Sequence, residues 1–166
     1  MKLNVKKLLK EIVIFAVMLF VASNLLSYLR SPELTNGSLP RIEATLIDGS
    51  SFKSKETEGR ALVVHFWATW CPTCKAEASN IQALSEEYEV LTIAVNSGSD
   101  DALRRYMQQN GYRFRVLNDA EGQWAARFNV EVFPTTFIFD AKGELRFTEV
   151  GYTTTLGLKG RLGVLK

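Results

Sequence analysis

Residues 65–77 read HFWATWCPTCKAE and contain the chain's only two cysteines, Cys71 and Cys74, together with its only histidine, His65. The residues before them, ALVVHFWA over 61–68, form a nearly continuous apolar run, which is typical of a central strand covered on both faces. The residues after the cysteines repeat apolar side chains at helical spacing. The stretch therefore predicts a buried strand that leads into a helix, with two thiols at the junction.

A pair of cysteines at C-x-x-C spacing has three uses to compare. A structural zinc site needs four ligands, and two cysteines with one histidine do not supply them. A static disulfide across four residues closes a loop too small to constrain the unfolded chain much. A reversible dithiol fits best, because the free N–H groups and the dipole of a helix start stabilise a thiolate at Cys71. Pro72 suits the first helical turn, since it has no N–H to lose. We expect Cys71 to attack and Cys74 to resolve the mixed disulfide.

Glu77 is the unusual residue of the predicted helix. It follows Cys74 by three positions and precedes Ile81 and Leu84 on the same apolar stripe. A carboxyl group in that position is predicted to be partly desolvated, with a raised pKa, and to exchange a proton with Cys74. The alternative is a helix residue that leans out into solvent.

Three aromatic or basic side chains near the thiols have two interpretations each. His65 shares a strand face with Val63 and Trp67, where it either shuttles a proton beneath the dithiol or is an ordinary core histidine. Trp67 and Trp70 either form an apolar surface beside Cys71 or pack as core residues. We favour a site role for Trp70 more than for Trp67.

A second signal lies at NVEVFPTTFIFD, residues 129–140. Pro134 directly precedes a predicted strand, where proline is tolerated mainly at the first position. A cis Phe133–Pro134 bond would suit a substrate-binding loop, and the residues alone leave cis and trans both open.

The rest of the chain predicts an alternating order of strands and helices. The predicted elements are a hairpin over 42–53, the strand over 61–68, a helix over 72–88, a strand over 90–96, a helix from Ser99 and Asp100 to Asn110 and Gly111, a short apolar piece over 114–117, a helix over 121–128 and a hairpin around 141–143. The last fourteen residues contain Gly157, Gly160 and Gly163 and predict a poor helix at best. This order predicts an α/β domain, a mixed central sheet with helices on both faces.

The N-terminal residues predict a membrane anchor. Residues 1–11 form a basic tail, and residues 12–29 carry no charge and span about 27 Å as a helix, close to the thickness of a bilayer core. Lysines before the segment orient the tail toward the cytoplasm and the rest of the chain outside. A cleaved signal peptide is the competing interpretation. Residues 30–40 predict a linker, and residues 41–166 predict the folded domain.

The distribution of charge argues against a nucleic-acid binder. The formal charge of the chain is +2, and Lys2, Lys6, Lys7 and Lys10 against Glu11 give the tail +3, which leaves about −1 for the rest. A nucleic-acid binder carries its excess positive charge on the folded domain.

WATWCPTCKAE (67–77), followed by VLNDAEGQWAARFNVEVFPTTFIFDAKGEL (116–145), resembles the thioredoxin superfamily. The nearer resemblance is to its membrane-tethered TlpA/ResA/CcmG type, most of all to ScsD-like protein disulfide oxidoreductases, and it covers about residues 41–155. It implies a thioredoxin-like fold after a single N-terminal transmembrane helix. The resemblance also implies site roles. Cys71 is then the nucleophile, Cys74 the resolving thiol and Glu77 the acidic catalytic residue, while the implied substrate contacts are Phe133 and the cis-proline Pro134. Trp70, Pro72 and Thr73, next to the cysteines in sequence, are predicted as further substrate contacts.

Two positions depart from the resemblance. His65 stands where cytoplasmic thioredoxins have a buried aspartate, so that proton route is not implied. The dipeptide Pro72-Thr73 matches neither the Gly-Pro of thioredoxin nor the Pro-His of strong oxidants, so the redox poise stays open.

Together these features predict a single-pass protein of a bacterial inner membrane with its catalytic domain in the periplasm or extracytoplasmic space. It would reduce or exchange disulfides in client proteins and be recharged by a transmembrane electron donor of the DsbD/ScsB-like kind. No cofactor and no metal are expected. The alternatives are an oxidant that donates its disulfide, or a non-enzymatic chaperone that holds Cu(I) between the two thiolates.

Overall fold

The computed structural model describes residues 5–29, 32, 34 and 37–165. The chain divides into two units, residues 1–31 and residues 32–166. In the first unit, α1 (Val5–Leu29) is one continuous helix. Within the part of the chain that the structure describes, no helix has the length and apolar character needed to cross a membrane. The anchor predicted over 12–29 therefore stays a prediction.

Parts of the predicted tail and linker fall outside the described residues. These parts are residues 1–4 of the tail and residues 30, 31, 33, 35 and 36 of the linker.

A five-stranded mixed sheet forms the centre of the second unit. The strands are β3 (Leu62–Trp67), β4 (Glu89–Val95), β5 (Arg115–Asp119), β6 (Thr135–Phe139) and β7 (Leu145–Val150), in the spatial order β5-β4-β3-β6-β7. The first three run parallel, and β6 and β7 are antiparallel to their neighbours. Every residue of β3 and of β6 is buried, which explains their continuous apolar runs.

In the described part of the second unit, four α-helices connect or follow the strands, and a short 3-10 helix (Ser54–Thr57) precedes β3. The α-helices are α2 (Pro72–Ser85), α3 (Asp100–Asn110), α4 (Gln123–Arg127) and α5 (Thr155–Gly163). The cap predicted at Ser99 is confirmed, since its side chain accepts a hydrogen bond from the N–H of Ala102. The predicted stop is confirmed as well, because Gly111 ends α3 in the left-handed conformation with φ of 69°.

Helices cover both faces of the sheet, as predicted. One core layer joins the sheet to α2, α3 and α5 through buried residues such as Ile81, Leu103 and Leu158. The other layer joins it to α4 and to the predicted N-terminal hairpin, β1 (Glu43–Thr45) and β2 (Ser51–Lys53), through residues such as Phe52 and Phe128. The thiol pair lies in the first layer.

The expectation of a poor helix at the C-terminus was wrong. Thr154 caps α5 by accepting a hydrogen bond from the N–H of Gly157, and Leu158 and Leu162 bury one apolar stripe against the core layer that contains α2. This burial outweighs the low helix propensity of the glycines, because helical stability in proteins comes mainly from tertiary packing.

Candidate active site

Cys71 lies at the start of α2, as predicted. It is the N-cap residue, Pro72 occupies the first helical turn, and the N–H of Cys74 donates a hydrogen bond to Sγ of Cys71 over 3.2 Å. The two cysteines form a disulfide with their Cα atoms 5.3 Å apart. Both are buried, with 5% of Cys71 and 2% of Cys74 exposed. The helix start therefore directs the N–H of Cys74 at the first sulfur.

The loop before β6 comes into contact with this sulfur. The Phe133–Pro134 peptide bond is cis, so the cis conformation that the resemblance implied is present. The carbonyl oxygen of Phe133 lies 3.7 Å from Sγ of Cys71. The fold thus places residues 71 and 133 side by side although 62 positions separate them.

Trp70 and Trp67 have different environments. Trp70 is 57% exposed, its Nε1–H donates to the carbonyl oxygen of Asn96, and its ring meets the ring of Phe133 edge-on at 5.8 Å. Trp67 is buried against Tyr106 and belongs to the core. Of the two tryptophans, it is therefore Trp70 that provides an exposed apolar surface beside Cys71.

Pro72 and Thr73 are exposed between the two buried cysteines. Their side chains lie on the outer surface of the first turn of α2, where a macromolecule that approaches Cys71 would meet them. Their predicted role as substrate contacts stays a prediction.

Glu77 is fully buried on α2, one turn after Cys74, as the helical stripe predicted. Burial raises the pKa of Glu77 to about 7, and the nearby charge of Glu149 adds to this rise. A hydrogen bond from the N–H of Thr153 acts in the opposite direction and lowers the pKa. The Thr153 N–H reaches Oε1 over 3.0 Å, and Oε2 has no hydrogen-bond partner among the described residues. The alternative of a side chain that leans into solvent is wrong.

His65 is a core residue. Its Nδ1 shares a hydrogen bond of 2.9 Å with Oγ1 of Thr136, which pairs with it across β3 and β6, and burial lowers the pKa of His65 to about 3. An imidazole with that pKa is neutral at physiological pH. The environment favours the core interpretation over the proton shuttle.

The structure adds residues that the sequence analysis did not identify. The N–H of Thr153 donates to Glu77, and Asn80 donates to the carbonyl oxygen of Thr153. Glu149, whose charge acts on Glu77, forms an ion pair of 2.5 Å with Arg161. Only the spacing of Asn80 at three positions after Glu77 could have drawn attention to it, since Thr153 is 76 positions away from Glu77.

Among the residues that the structure describes, no group of three or more His, Cys, Asp and Glu side chains is placed to hold a metal ion. The site itself brings together two sulfurs, one buried carboxyl group and the backbone around them.

Comparison with known families gives one match that covers most of the chain. A sequence model of the Redoxin family matches residues 34–159. The matched range includes Cys71, Cys74, Glu77 and the cis-proline loop.

Individual relatives are similar over the same region. The Thioredoxin-like protein of Haemophilus influenzae is 29% identical over 162 residues, which cover 96% of this chain and 96% of that protein. The thiol-disulfide oxidoreductase ResA of Oceanobacillus iheyensis is 28% identical over 121 residues, which cover 70% of this chain and 62% of that protein. The crystal structure of a thiol:disulfide interchange protein of the thioredoxin family from Chlorobium tepidum superposes with a TM-score of 0.69 at 25% identity, over 77% of this chain and 94% of that chain. The thioredoxin-like fold that the resemblance implied is confirmed.

Proposed function

The chain belongs to the Redoxin family, and from this premise we propose that it exchanges disulfides with client proteins from outside the cytoplasm, using Cys71 and Cys74 as its redox pair. It is a thiol–disulfide oxidoreductase of the thioredoxin superfamily, of the TlpA/ResA type. The observation that carries the proposal is the position of Cys71 at the N-cap of α2, with the Cys74 N–H on its sulfur.

The reaction follows from this geometry. In the reduced protein, the thiolate of Cys71 attacks one sulfur of a client disulfide, a mixed disulfide forms and the second client sulfur leaves as a thiolate that takes up a proton. Cys74 then loses its proton, attacks Sγ of Cys71 and releases the first client sulfur as a thiol. The client disulfide gains two electrons and two protons, and the Cys71–Cys74 disulfide forms.

Glu77 is the group that receives the proton of Cys74 in this proposal. It lies one helical turn from Cys74 and is buried with it, so the proton does not have to reach bulk water directly. Its pKa of about 7 means that both protonation states are populated near neutral pH, which suits a group that accepts and returns a proton.

Client contacts are proposed for the residues around Cys71. Trp70, Pro72 and Thr73 are exposed, and the peptide between Phe133 and Pro134 offers its backbone beside the sulfur. An extended client segment laid along this loop would bring its own sulfur to Cys71.

The membrane anchor and the location outside the cytoplasm are part of the proposal. Their support is the uncharged run over 12–29 after four lysines, together with the exposure of apolar side chains along α1 such as Leu9, Phe15 and Leu19. Spaces outside the bacterial cytoplasm are kept oxidising, so a reductant there needs a supply of electrons. We therefore propose a transmembrane donor of the DsbD/ScsB-like kind.

Turnover and trapping test the redox role. The full chain in detergent is assayed for reduction of insulin disulfides by dithiothreitol, and Cys71→Ser is expected to abolish the acceleration. Cys74→Ala is expected to accumulate mixed disulfides with client proteins in cells, while Cys71→Ala, its matched control, accumulates none. Unchanged turnover in Cys71→Ser would overturn the assignment.

The direction of the reaction is tested by equilibration against glutathione. We expect a reduction potential toward about −270 mV, as in thioredoxin, and a value near about −120 mV would instead identify an oxidant.

Carbonate extraction of membranes tests the anchor. The wild-type chain is expected to stay in the membrane fraction, and Leu19→Lys, with a charge in the middle of the segment, is expected to be released.

A further inference from the structure

The side-chain amide of Asn80 makes three hydrogen bonds, two to the loop between β7 and α5 and one to the first residue of α5. Nδ2 donates to the carbonyl oxygen of Thr153 over 3.0 Å and to the hydroxyl of Tyr152 over 3.1 Å. Oδ1 accepts from Oγ1 of Thr155 over 3.1 Å. One side chain of α2 therefore holds two residues of this loop, Tyr152 and Thr153, and the first residue of α5, Thr155.

The same loop is attached to the dithiol site at two further points. The N–H of Gly151 donates to the carbonyl oxygen of Pro134 over 2.8 Å, and the N–H of Thr153 donates to Oε1 of Glu77 over 3.0 Å. Thr153 is thus held from both sides, its carbonyl by Asn80 and its N–H by Glu77. Because Glu77 and Asn80 are three positions apart on α2, the helix presents both side chains to the loop together.

The Thr153 N–H is the hydrogen-bond donor that reaches Glu77 among the described residues. A donor of this kind favours the charged form of a carboxyl group. Burial and the charge of Glu149 on β7 act in the opposite direction. The contact between Thr153 and Glu77 therefore partly offsets the cost of placing a negative charge in the core.

Four elements carry the other ionisable groups of this region, β7, α5, β3 and α2. Glu149 on β7 is paired with Arg161 on α5 over 2.5 Å, and His65 on β3 is buried and hydrogen-bonded to Thr136. Cys74 precedes Glu77 on α2 itself. Asn80 is uncharged, so it acts on Glu77 through the position of the loop rather than through its own charge.

We propose that Asn80 is a positioning residue for the thiol–disulfide reaction: its amide fixes the loop so that the Thr153 N–H meets Glu77, and this contact sets how readily Glu77 takes the proton of Cys74. The inference rests on the proposed role of Glu77 in the exchange. It assigns a function to a polar residue that touches neither sulfur.

The titration of Glu77 in the oxidised full chain tests the proposal without turnover. The carboxyl carbons of ¹³C-labelled glutamate are followed by NMR against pH, and Glu77→Gln identifies the Glu77 signal by its loss. Asn80→Ala is expected to move the midpoint of this signal upward by about one pH unit, since the carboxylate loses a well-aligned donor. The pH profile of insulin reduction is expected to move in the same direction.

Two variants serve as controls. Asn110→Ala removes an exposed amide that bonds a backbone carbonyl at the end of α3, far along the chain from the loop, and Tyr152→Phe removes only the hydroxyl partner of Asn80. Both are expected to leave the Glu77 midpoint at its wild-type value. Thr155→Val, which removes the partner of Oδ1, is expected to shift the midpoint upward by less than Asn80→Ala does.

The outcomes separate the inference from the proposed function. A Glu77 signal that titrates at the wild-type pH in Asn80→Ala overturns the role of Asn80, whatever the activity of the variant. If Cys71→Ser retained turnover, the proposed function would fail while the titration result stood. A shift in the NMR midpoint together with a shift in the pH profile supports both.

Discussion

The N–H of Cys74 lies 3.2 Å from Sγ of Cys71 and points at it, so the first turn of α2 closes on the sulfur at its own N-cap. In most helices a serine, threonine or aspartate oxygen fills this position. Here a sulfur does so, and the helix dipole and the N–H group both stabilise negative charge on it. Cys74, the third residue of α2, is buried and supplies the N–H rather than the capping sulfur.

This arrangement predicts unequal reactivity of the two thiols in the reduced protein. Cys74→Ala leaves only Cys71, and Cys71→Ala leaves only Cys74, so the two variants form a matched pair. At pH 6 we expect iodoacetamide to alkylate Cys71 at least about tenfold faster, because the helix start stabilises its thiolate. Equal rates in the two folded variants would contradict the assignment of Cys71 as the attacking sulfur.

The burial of Glu77 predicts a stability that falls as pH rises. Its pKa is raised from 4.5 to about 7, so between these values the folded state holds a proton that the unfolded state has lost. The loss of stability from ionising Glu77 is absent below pH 4.5 and grows by about 1.4 kcal/mol per pH unit through this window. Above pH 7 it reaches about 3 kcal/mol. Glu77→Gln keeps an acceptor for Thr153 and removes the charge.

Urea unfolding of the oxidised protein at pH 5 and pH 8 measures this effect. At each pH the free energy of unfolding of Glu77→Gln is compared with that of the wild type. We expect this difference to favour the variant more at pH 8 than at pH 5. Glu86→Gln, which changes an exposed glutamate at the end of α2, is the control. The prediction fails if Glu77→Gln differs from the wild type by the same free energy at both pH values.

The burial of His65 predicts a stability that rises with pH, the opposite of the effect of Glu77. The pKa of His65 is lowered from 6.5 to about 3, so in this window the unfolded state binds a proton that the folded state excludes. The folded protein keeps its full stability above pH 6.5 and loses about 1.4 kcal/mol per pH unit as the pH falls toward 3. The free energy of unfolding of His65→Gln, relative to that of the wild type, is therefore expected to be about 2 kcal/mol higher at pH 5 than at pH 7.5.

Thr136→Val is the matched control for His65, since it removes the hydrogen-bond partner and leaves the titrating group in place. We expect Thr136→Val to lower the free energy of unfolding. Unlike His65→Gln, it is not expected to gain stability relative to the wild type when the pH falls to 5. The turnover of His65→Gln is expected to keep the wild-type shape of its pH profile. A changed shape would revive the proton-shuttle interpretation.

The sequence predicts the thiol site well because its determinants are local. Cys71, Pro72 and Cys74 fall within one helical turn, so the N-cap follows from the order of residues alone. The burial of Glu77 follows from the same helical period, which places it on the stripe of Ile81.

The contacts around Glu77 are not local, and the sequence does not contain them in readable form. Thr153 is 76 positions from Glu77 and Thr155 is 75 positions from Asn80, so these contacts depend on how the chain after β7 returns to α2. The same reason explains why the sequence predicts no more than a poor helix where α5 forms. Its partner surface lies on another part of the chain, and its own residues show three glycines and few apolar side chains.

Two leucines of α5 test whether packing holds this helix in place. Leu158 is fully buried, whereas Leu156, two positions earlier, is 82% exposed. Leu158→Ala removes buried methyl groups and leaves a cavity, so we expect it to lower the free energy of unfolding by about 2 to 5 kcal/mol. Leu156→Ala removes the same atoms from solvent and is expected to change stability by less than about 0.5 kcal/mol. Because α5 begins directly after the loop that contacts Glu77, Leu158→Ala is also expected to increase amide hydrogen exchange at Thr153. Equal losses of stability in the two variants would show that intrinsic helix propensity, and not burial against the core, holds α5 in place.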